Sequence, residues 1–257
     1  MSSALAGKTA LITGSTQGLG LAAAKQFAAA GCDVVLNGLA ETAAIGSIRR
    51  DIESRFGVRT AYAGADLRNA ASIAGMMFQP VDILVNNAVV RHTALIENFA
   101  PDKWDESLAV NLSAAFHTIR LALPAMKGCG WGRIINVSSI YGQRGAANRV
   151  GYVTTKTALI GLTRAVALEV VGTGVTCNAI CPGTTETPVH EATIQSLMTG
   201  EGLSHDDAVR RFLAGKQPTG RIIAADDVAA MMVFLCGPAS GDINGSILPI
   251  DAAWSAG

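Results

Sequence analysis

Thr13-Gly-Ser-Thr-Gln-Gly-Leu-Gly20 follows a β-branched run at residues 9–13 and opens an Ala-rich run at 19–30. The order is strand, glycine turn, helix. Gly14 allows the turn, Gly18 lets backbone approach a pyrophosphate, and Gly20 lets helix and sheet pack closely. The start of the helix then presents its free N–H groups and positive dipole end to an anion. The spacing is G-x-x-x-G-x-G. A tight turn without a ligand is the other reading of such a loop; its place between a strand and a helix favours phosphate binding.

Outward from the loop, short β-branched segments at 33–37, 58–62, 82–86, 133–138, 174–180 and 246–250 alternate with helical patterns. The helical patterns fall at 42–56, 70–78, 101–123, 152–171 and 226–235. Continuous apolar strands such as Ile83-Leu-Val85 point to a parallel sheet covered on both faces. The expected fold is α/β, a single-domain doubly wound, Rossmann-like parallel sheet of about seven strands over residues 1–257. One insertion, 186–221, holds two short helical patterns at 189–198 and 204–213. It follows the C-terminal end of a strand, where a substrate lid is well placed.

The 257 residues are 49% hydrophobic with zero formal net charge, which suits one large core and gives no reason to expect nucleic acid. No apolar run is long enough to cross a bilayer, and Met1-Ser-Ser-Ala-Leu-Ala-Gly-Lys8 lacks a secretory pattern, so a cytoplasmic location is expected. Five scattered cysteines and four dispersed histidines form no metal-ligand spacing. Cys177 and Cys181 read as small buried hydrophobes. The patterns at 108–123 and 158–170 are apolar on nearly all sides, which predicts burial against another subunit.

Tyr152 and Lys156 lie four residues apart in Gly151-Tyr-Val-Thr-Thr-Lys156. On a helix they share a face, and the ammonium then favours the phenolate. A free tyrosine titrates near ~10, so it needs such help to act as a base at neutral pH. A surface contact is the alternative.

Taken together, the chain resembles the short-chain dehydrogenase/reductase family over nearly its whole length. The carriers are the glycine loop, Asp66 in Gly64-Ala-Asp-Leu67, Asn86-Asn-Ala-Val89, Asn111, Ser139, the Tyr152/Lys156 pair and Pro182-Gly-Thr-Thr-Glu-Thr187. The resemblance implies catalysis by Ser139, Tyr152, Lys156 and Asn111. Tyr152 would exchange the alcohol proton while hydride passes to or from a nicotinamide. Lys156 would lower the tyrosine pKa and hold the ribose, Ser139 would stabilise the substrate oxygen, and Asn111 would position a water. It also implies cofactor contacts at Gly14, Thr16, Gln17, Gly18, Leu19 and Asn37. Others fall at Asp66, Leu67, Asn87 and Ala88, and at Pro182, Gly183, Thr185 and Thr187. A homotetramer is implied, with no metal.

Within the family, Asp33-Val-Val-Leu-Asn-Gly38 and Asn178-Ala-Ile-Cys-Pro-Gly183 resemble segments of the bacterial D-3-hydroxybutyrate dehydrogenases. Where those enzymes grip substrate, this chain has Arg91, Tyr141, Arg149, Thr184 and Thr193 instead of their glutamine, histidine, lysine, tryptophan and glutamine. The scaffold is shared and the pocket rebuilt. Arg91, Arg144 and Arg149 favour a small anionic secondary alcohol, with Tyr141, Thr184 and His190 bordering it. After the second strand, Leu36-Asn-Gly-Leu-Ala-Glu41 carries no Arg or Lys, and none follows before Arg49, so NAD is expected over NADP. The family's Asp-Gly-Gly is matched by Asp251-Ala-Ala253, which predicts a backbone without positive φ there. The alternatives are an NADPH-dependent ketone or 3-oxoacyl reductase and, from another class, a non-catalytic dinucleotide-sensing protein.

Overall fold

Successive residues of a strand point to opposite faces of its sheet, and the strands here are apolar on both. A computed structural model describes residues 5–256; the reading of residues 1–4 as a start without a leader lies outside them. The strands are β1 (Thr9–Ile12), β2 (Asp33–Asn37), β3 (Thr60–Ala63), β4 (Ile83–Asn86), β5 (Gly132–Val137), β6 (Val175–Pro182) and β7 (Ile247–Ile250). They form one parallel sheet in the order β3-β2-β1-β4-β5-β6-β7.

Ala10, Ile12, Val34, Leu36, Ile83 and Val85 project to one face, where they meet Phe27 of α1 (Gly18–Ala29), Ile52 of α2 (Thr42–Phe56) and Met232 of α9 (Ala225–Phe234). Leu11, Val35, Leu84 and Ile134 project to the other. There they meet Ile73 of α3 (Ala70–Met76), Met126 of α5 (Ala114–Gly128) and Val166 of α6 (Val150–Glu169). Each fully buried Leu, Ile or Phe contributes roughly 1.5–3 kcal/mol, so both layers are firmly attached. The chain builds outward from β1 to β3, then crosses to β4 on the other side of β1. Ligands of such sheets sit at the C-terminal ends of the strands at this reversal.

The helix expected over 101–123 divides into α4 (Pro101–Leu108), a π-turn at Ala109–Ser113, and α5. Asn111 causes the interruption: its amide leaves the helix to donate to the Val90 carbonyl (3.0 Å) and to accept from the Val90 N–H (2.8 Å). Helix α5 then runs on through Pro124, because burial of Ala122 and Met126 outweighs one lost ladder bond. The insertion folds as α7 (Pro188–Glu201) and α8 (His205–Leu213), and Ser204 caps α8 by accepting from the Asp207 N–H.

The backbone expectation at Asp251-Ala-Ala253 is corrected. Ala252 and Ala253 both take positive φ, at 53° and 66°. The tail keeps the left-handed turn, closed by the Ser255 N–H on the Asp251 carboxylate (2.7 Å), although neither residue is glycine. Cys177 and Cys181 are buried, and burial pushes the Cys177 thiol up to about 12. Among the described residues no cluster suited to a metal ion occurs, and no helix is long and apolar enough to cross a membrane.

Candidate active site

A cleft of about 590 Å³ opens where β1 and β4 diverge. Its floor is the glycine loop. Gly14 and Gly18 have φ of +63° and +52°, and a Cβ on Gly20 would lie 2.2 Å from the Gly14 carbonyl oxygen. No side chain caps the N-terminus of α1, and its first turn holds no acidic residue. Its free N–H groups therefore suit a diphosphate, with Thr16, Gln17, Gly18 and Leu19 lining the cleft beside them.

Side chains hold the loop in place. The Thr13 hydroxyl accepts from the N–H groups of Asn87 (2.9 Å) and Ala88 (3.0 Å). The Asn87 amide donates to the carbonyls of Thr13 (2.9 Å) and Gly14 (3.1 Å). Buried Asn37 donates to Ala63 (2.8 Å) and Ala65 (3.2 Å) and accepts from the Gly14 N–H (3.3 Å). These bonds tie the ends of β1, β2, β3 and β4 together. On the β2–β3 side, Leu39, Asp66, Leu67 and Arg68 line the cleft. Arg68 grips the Asp66 carboxylate (2.7 Å) and holds it below the usual carboxylate range.

On the β5–β6 side stand Ser139, Tyr152 and Lys156, with Pro182, Gly183, Thr185 and Thr187. Helix α6 begins just past Asn148, whose left-handed φ of 62° turns the chain and whose carbonyl accepts from the Ala94 N–H. Gly151 fits α6 against α4, since a Cβ there would lie 3.0 Å from the Ser107 hydroxyl. Tyr152 and Lys156 consequently face β5. Lys156 is buried and donates to the Val137 carbonyl (2.6 Å). Its Nζ lies 5.8 Å from the Tyr152 ring centre, and the Arg91 guanidinium carbon lies 5.6 Å from it. Burial pushes the Tyr152 phenol up, but the Lys156 and Arg91 cations, with hydrogen bonding from Ser139 and Arg91, reverse this and leave it below its ordinary value. Burial likewise lowers Lys156, with Arg91 adding to it and Tyr152 opposing it.

Asn111 is not on the cleft wall. Its side chain is spent on Val90 and on the Thr155 hydroxyl (3.3 Å), behind the Tyr152 turn of α6. Half-buried Tyr141 stacks edge-on against both Tyr152 (6.4 Å) and Trp254 (5.3 Å). His190 lines the cleft. Its Nδ1 faces the Thr185 carbonyl at 2.7 Å and must therefore be the protonated nitrogen, while burial holds its pKa down.

Four residues expected at the substrate, Tyr141, Arg144, Arg149 and Thr184, are not part of the cleft lining. Arg144 is exposed and donates to the Trp254 carbonyl of the C-terminal tail, outside the cleft lining. Thr184 is buried, its N–H held by the Gln217 side chain, so it faces the protein rather than the cleft. Arg149 does not line the main cleft either, but its charge acts on Tyr141, His190 and Lys216.

Residues 8–197 match the family model described as short chain dehydrogenase. The chain is a short-chain dehydrogenase. It is 43% identical to a D-beta-hydroxybutyrate dehydrogenase of Cupriavidus necator, across 98% of this chain and 99% of that one. It is 40% identical to a protein of the same name from Rhizobium meliloti, across 97% and 99%. Among solved structures, the L-sorbose reductase of Gluconobacter frateurii complexed with NADPH and L-sorbose superposes with a TM-score of 0.93 at 28% identity, over 99% and 98% of the two chains. The dehydrogenase is thus an oxidoreductase that uses a nicotinamide dinucleotide on a small-molecule substrate.

Sequence reasoning missed Arg68 in the cleft lining, Lys216 acting on His190, and Trp254 packed against Tyr141. Arg68 stands two residues past Asp66 and was visible as a neighbouring charge. Lys216 reaches back from the end of α8 to the Phe212 carbonyl (2.7 Å) and ring (4.1 Å). Trp254 carried no local signal.

Proposed function

We propose that this dehydrogenase interconverts a small anionic secondary alcohol, such as a hydroxy acid, and its ketone, with NAD as cofactor. The observation that carries this reading is Arg91 on the cleft wall beside Tyr152, joined by Arg149 and Lys216, whose charges act with that of Arg91 on cleft-lining His190. Among the described residues Arg91, Arg149 and Lys216 form no ion pair with a carboxylate. Unneutralised guanidinium and ammonium groups at one end of a partly enclosed cleft favour a carboxylate, sulfonate or phosphate. The names of the two curated relatives point to a hydroxy acid as well.

In this reading Ser139 donates to the substrate oxygen and stabilises charge developing on it. Tyr152 exchanges the hydroxyl proton, as base in oxidation and as acid in reduction. Lys156, anchored on Val137, holds the phenolate electrostatically and would hold the nicotinamide ribose of a bound dinucleotide. Asn111 fixes the π-turn behind the tyrosine, which positions a water for proton exit. Arg91 and Arg149, with Lys216, hold the anionic end, and His190 and Tyr141 border it. A bound nicotinamide dinucleotide supplies the hydride acceptor or donor.

NAD is favoured because Arg68, the one cation lining the β2–β3 side of the cleft among the described residues, is committed to Asp66. A 2′-phosphate would meet an engaged guanidinium and a carboxylate. The segment 186–221 acts as a lid. Exposed Phe116 on α5 and Leu168 on α6 support assembly through these helices, as a homotetramer in the cytoplasm. A second reading, an NADPH-dependent ketone reductase, is favoured by the NADPH in the sorbose reductase complex. A screen of secondary alcohols, anionic and neutral, with NAD and NADP tests both. Turnover of anionic alcohols with NAD is expected; turnover of neutral substrates alone, or with NADP alone, contradicts the proposal.

A further inference from the structure

Three charged or titratable side chains face the Tyr152 ring from three directions. Lys156 comes from the same helix, Arg91 from the segment after β4, and Tyr141 from the turn after β5. The Cys181 thiol of β6 acts on Lys156, and Arg91 acts on His190. No carboxylate among the described residues acts on the phenol. The two cations are nearly equidistant from the ring centre, at 5.6 and 5.8 Å, but differ in chemistry. Lys156 sits in a buried place that disfavours its proton, and Arg91 next to it disfavours that proton further. A guanidinium keeps its charge at every pH a protein survives. The ammonium is therefore the cation whose charge fades as pH rises, and the guanidinium is the constant one.

We propose that Arg91 is a positioning residue for proton transfer: a second, pH-independent cation that works with Lys156 to favour the Tyr152 phenolate. Its role at the substrate's anionic end is compatible with this, because the guanidinium has five donors and a planar face. The inference deepens the reading of the site given above, yet its test needs neither substrate nor turnover. A wrong substrate class would leave its outcome intact.

The chain has only three tyrosines, Tyr62, Tyr141 and Tyr152, so tyrosinate formation can be followed by ultraviolet difference absorbance on the intact, assembled protein. In the wild type one tyrosine should ionise ahead of the other two, and Tyr152→Phe should abolish that phase. Arg91→Gln should move the phase upward by about half a unit or more, the order expected for loss of a full charge at this distance. Arg91→Lys should restore most of the shift. Lys156→Met provides a second reading that leaves Arg91 in place: an early phase, displaced but still ahead of the other two, should persist. An unmoved phase in folded Arg91→Gln overturns the proposal. So does failure of Arg91→Lys to restore the shift, or loss of the early phase in Lys156→Met.

Discussion

Gly20→Ala should injure both stability and dinucleotide binding, and the size of the injury follows from the glycine loop. The added methyl would lie 2.2 Å from the Gly14 carbonyl oxygen and 2.5 Å from the Asn87 amide nitrogen, both closer than real Cβ contacts come. To make room, Asn87 must give up its bonds to Thr13 and Gly14, now 2.9 and 3.1 Å. Two such bonds are worth about 1 kcal/mol each, and forcing a methyl into a packed site costs about 1–3 kcal/mol. The expected destabilisation is about 3–5 kcal/mol, read as a lower urea midpoint at unchanged slope. Binding of NAD, followed by calorimetric titration, should weaken at least about tenfold if, as proposed, the displaced Gly14 backbone cradles the diphosphate. Gly46 is the internal control. It lies within α2, and a Cβ there meets nothing within 4 Å. Gly46→Ala should stabilise the protein by roughly 0.5–1 kcal/mol, the ordinary gain in a helix interior, and leave NAD binding alone. Equal midpoints and equal NAD affinities for wild type and Gly20→Ala would refute the reasoning about the loop.

Three further outcomes are expected. Asp66→Asn should release Arg68 and raise the NADP-to-NAD ratio of kcat/KM by roughly tenfold, because a freed guanidinium pairs well with phosphate; an unchanged ratio would place the 2′-hydroxyl elsewhere. Ala252→Gly and Ala253→Gly should each stabilise the protein by about 0.5–1 kcal/mol in urea unfolding, the left-handed penalty of ~1–2 kcal/mol less the glycine's unfolded-state entropy. Arg149→Ala should raise KM for an anionic substrate by roughly 10- to 100-fold with kcat little changed, the signature of lost ground-state binding worth about 1.5–3 kcal/mol.

The parts of this protein that were legible in its sequence are those whose physics is local. Strand periodicity, the glycine spacing and the four-residue Tyr152–Lys156 offset each specify a short-range geometry, and the structure contains each of them. What stayed hidden depends on partners distant in the chain. The resemblance singled out Asn111, but the sequence pattern placed it inside one unbroken helix; its bonds to Val90, twenty-one positions earlier, go with the π-turn there. Arg144 looked like a cleft residue by its place after Ser139, but Trp254, more than a hundred positions later, holds it outside. Lys216 comes to act on His190 only through the fold of the 186–221 insertion, and no local pattern announces that. Ala252 and Ala253 show the opposite failure. Local propensity argued against positive φ, and the closure of the tail on Asp251 prevailed.

Selection of an anionic alcohol by Arg91 and Arg149 is what separates the proposed function from a neutral-ketone reductase. It is tested most directly by NAD reduction with a hydroxy acid that the enzyme oxidises and the primary amide of the same acid, which keeps size and hydrogen-bonding shape while removing the charge. The account predicts a kcat/KM at least about a hundredfold higher for the acid, from the loss of charge-assisted bonds to Arg91 and Arg149. Equal kcat/KM for acid and amide would contradict it.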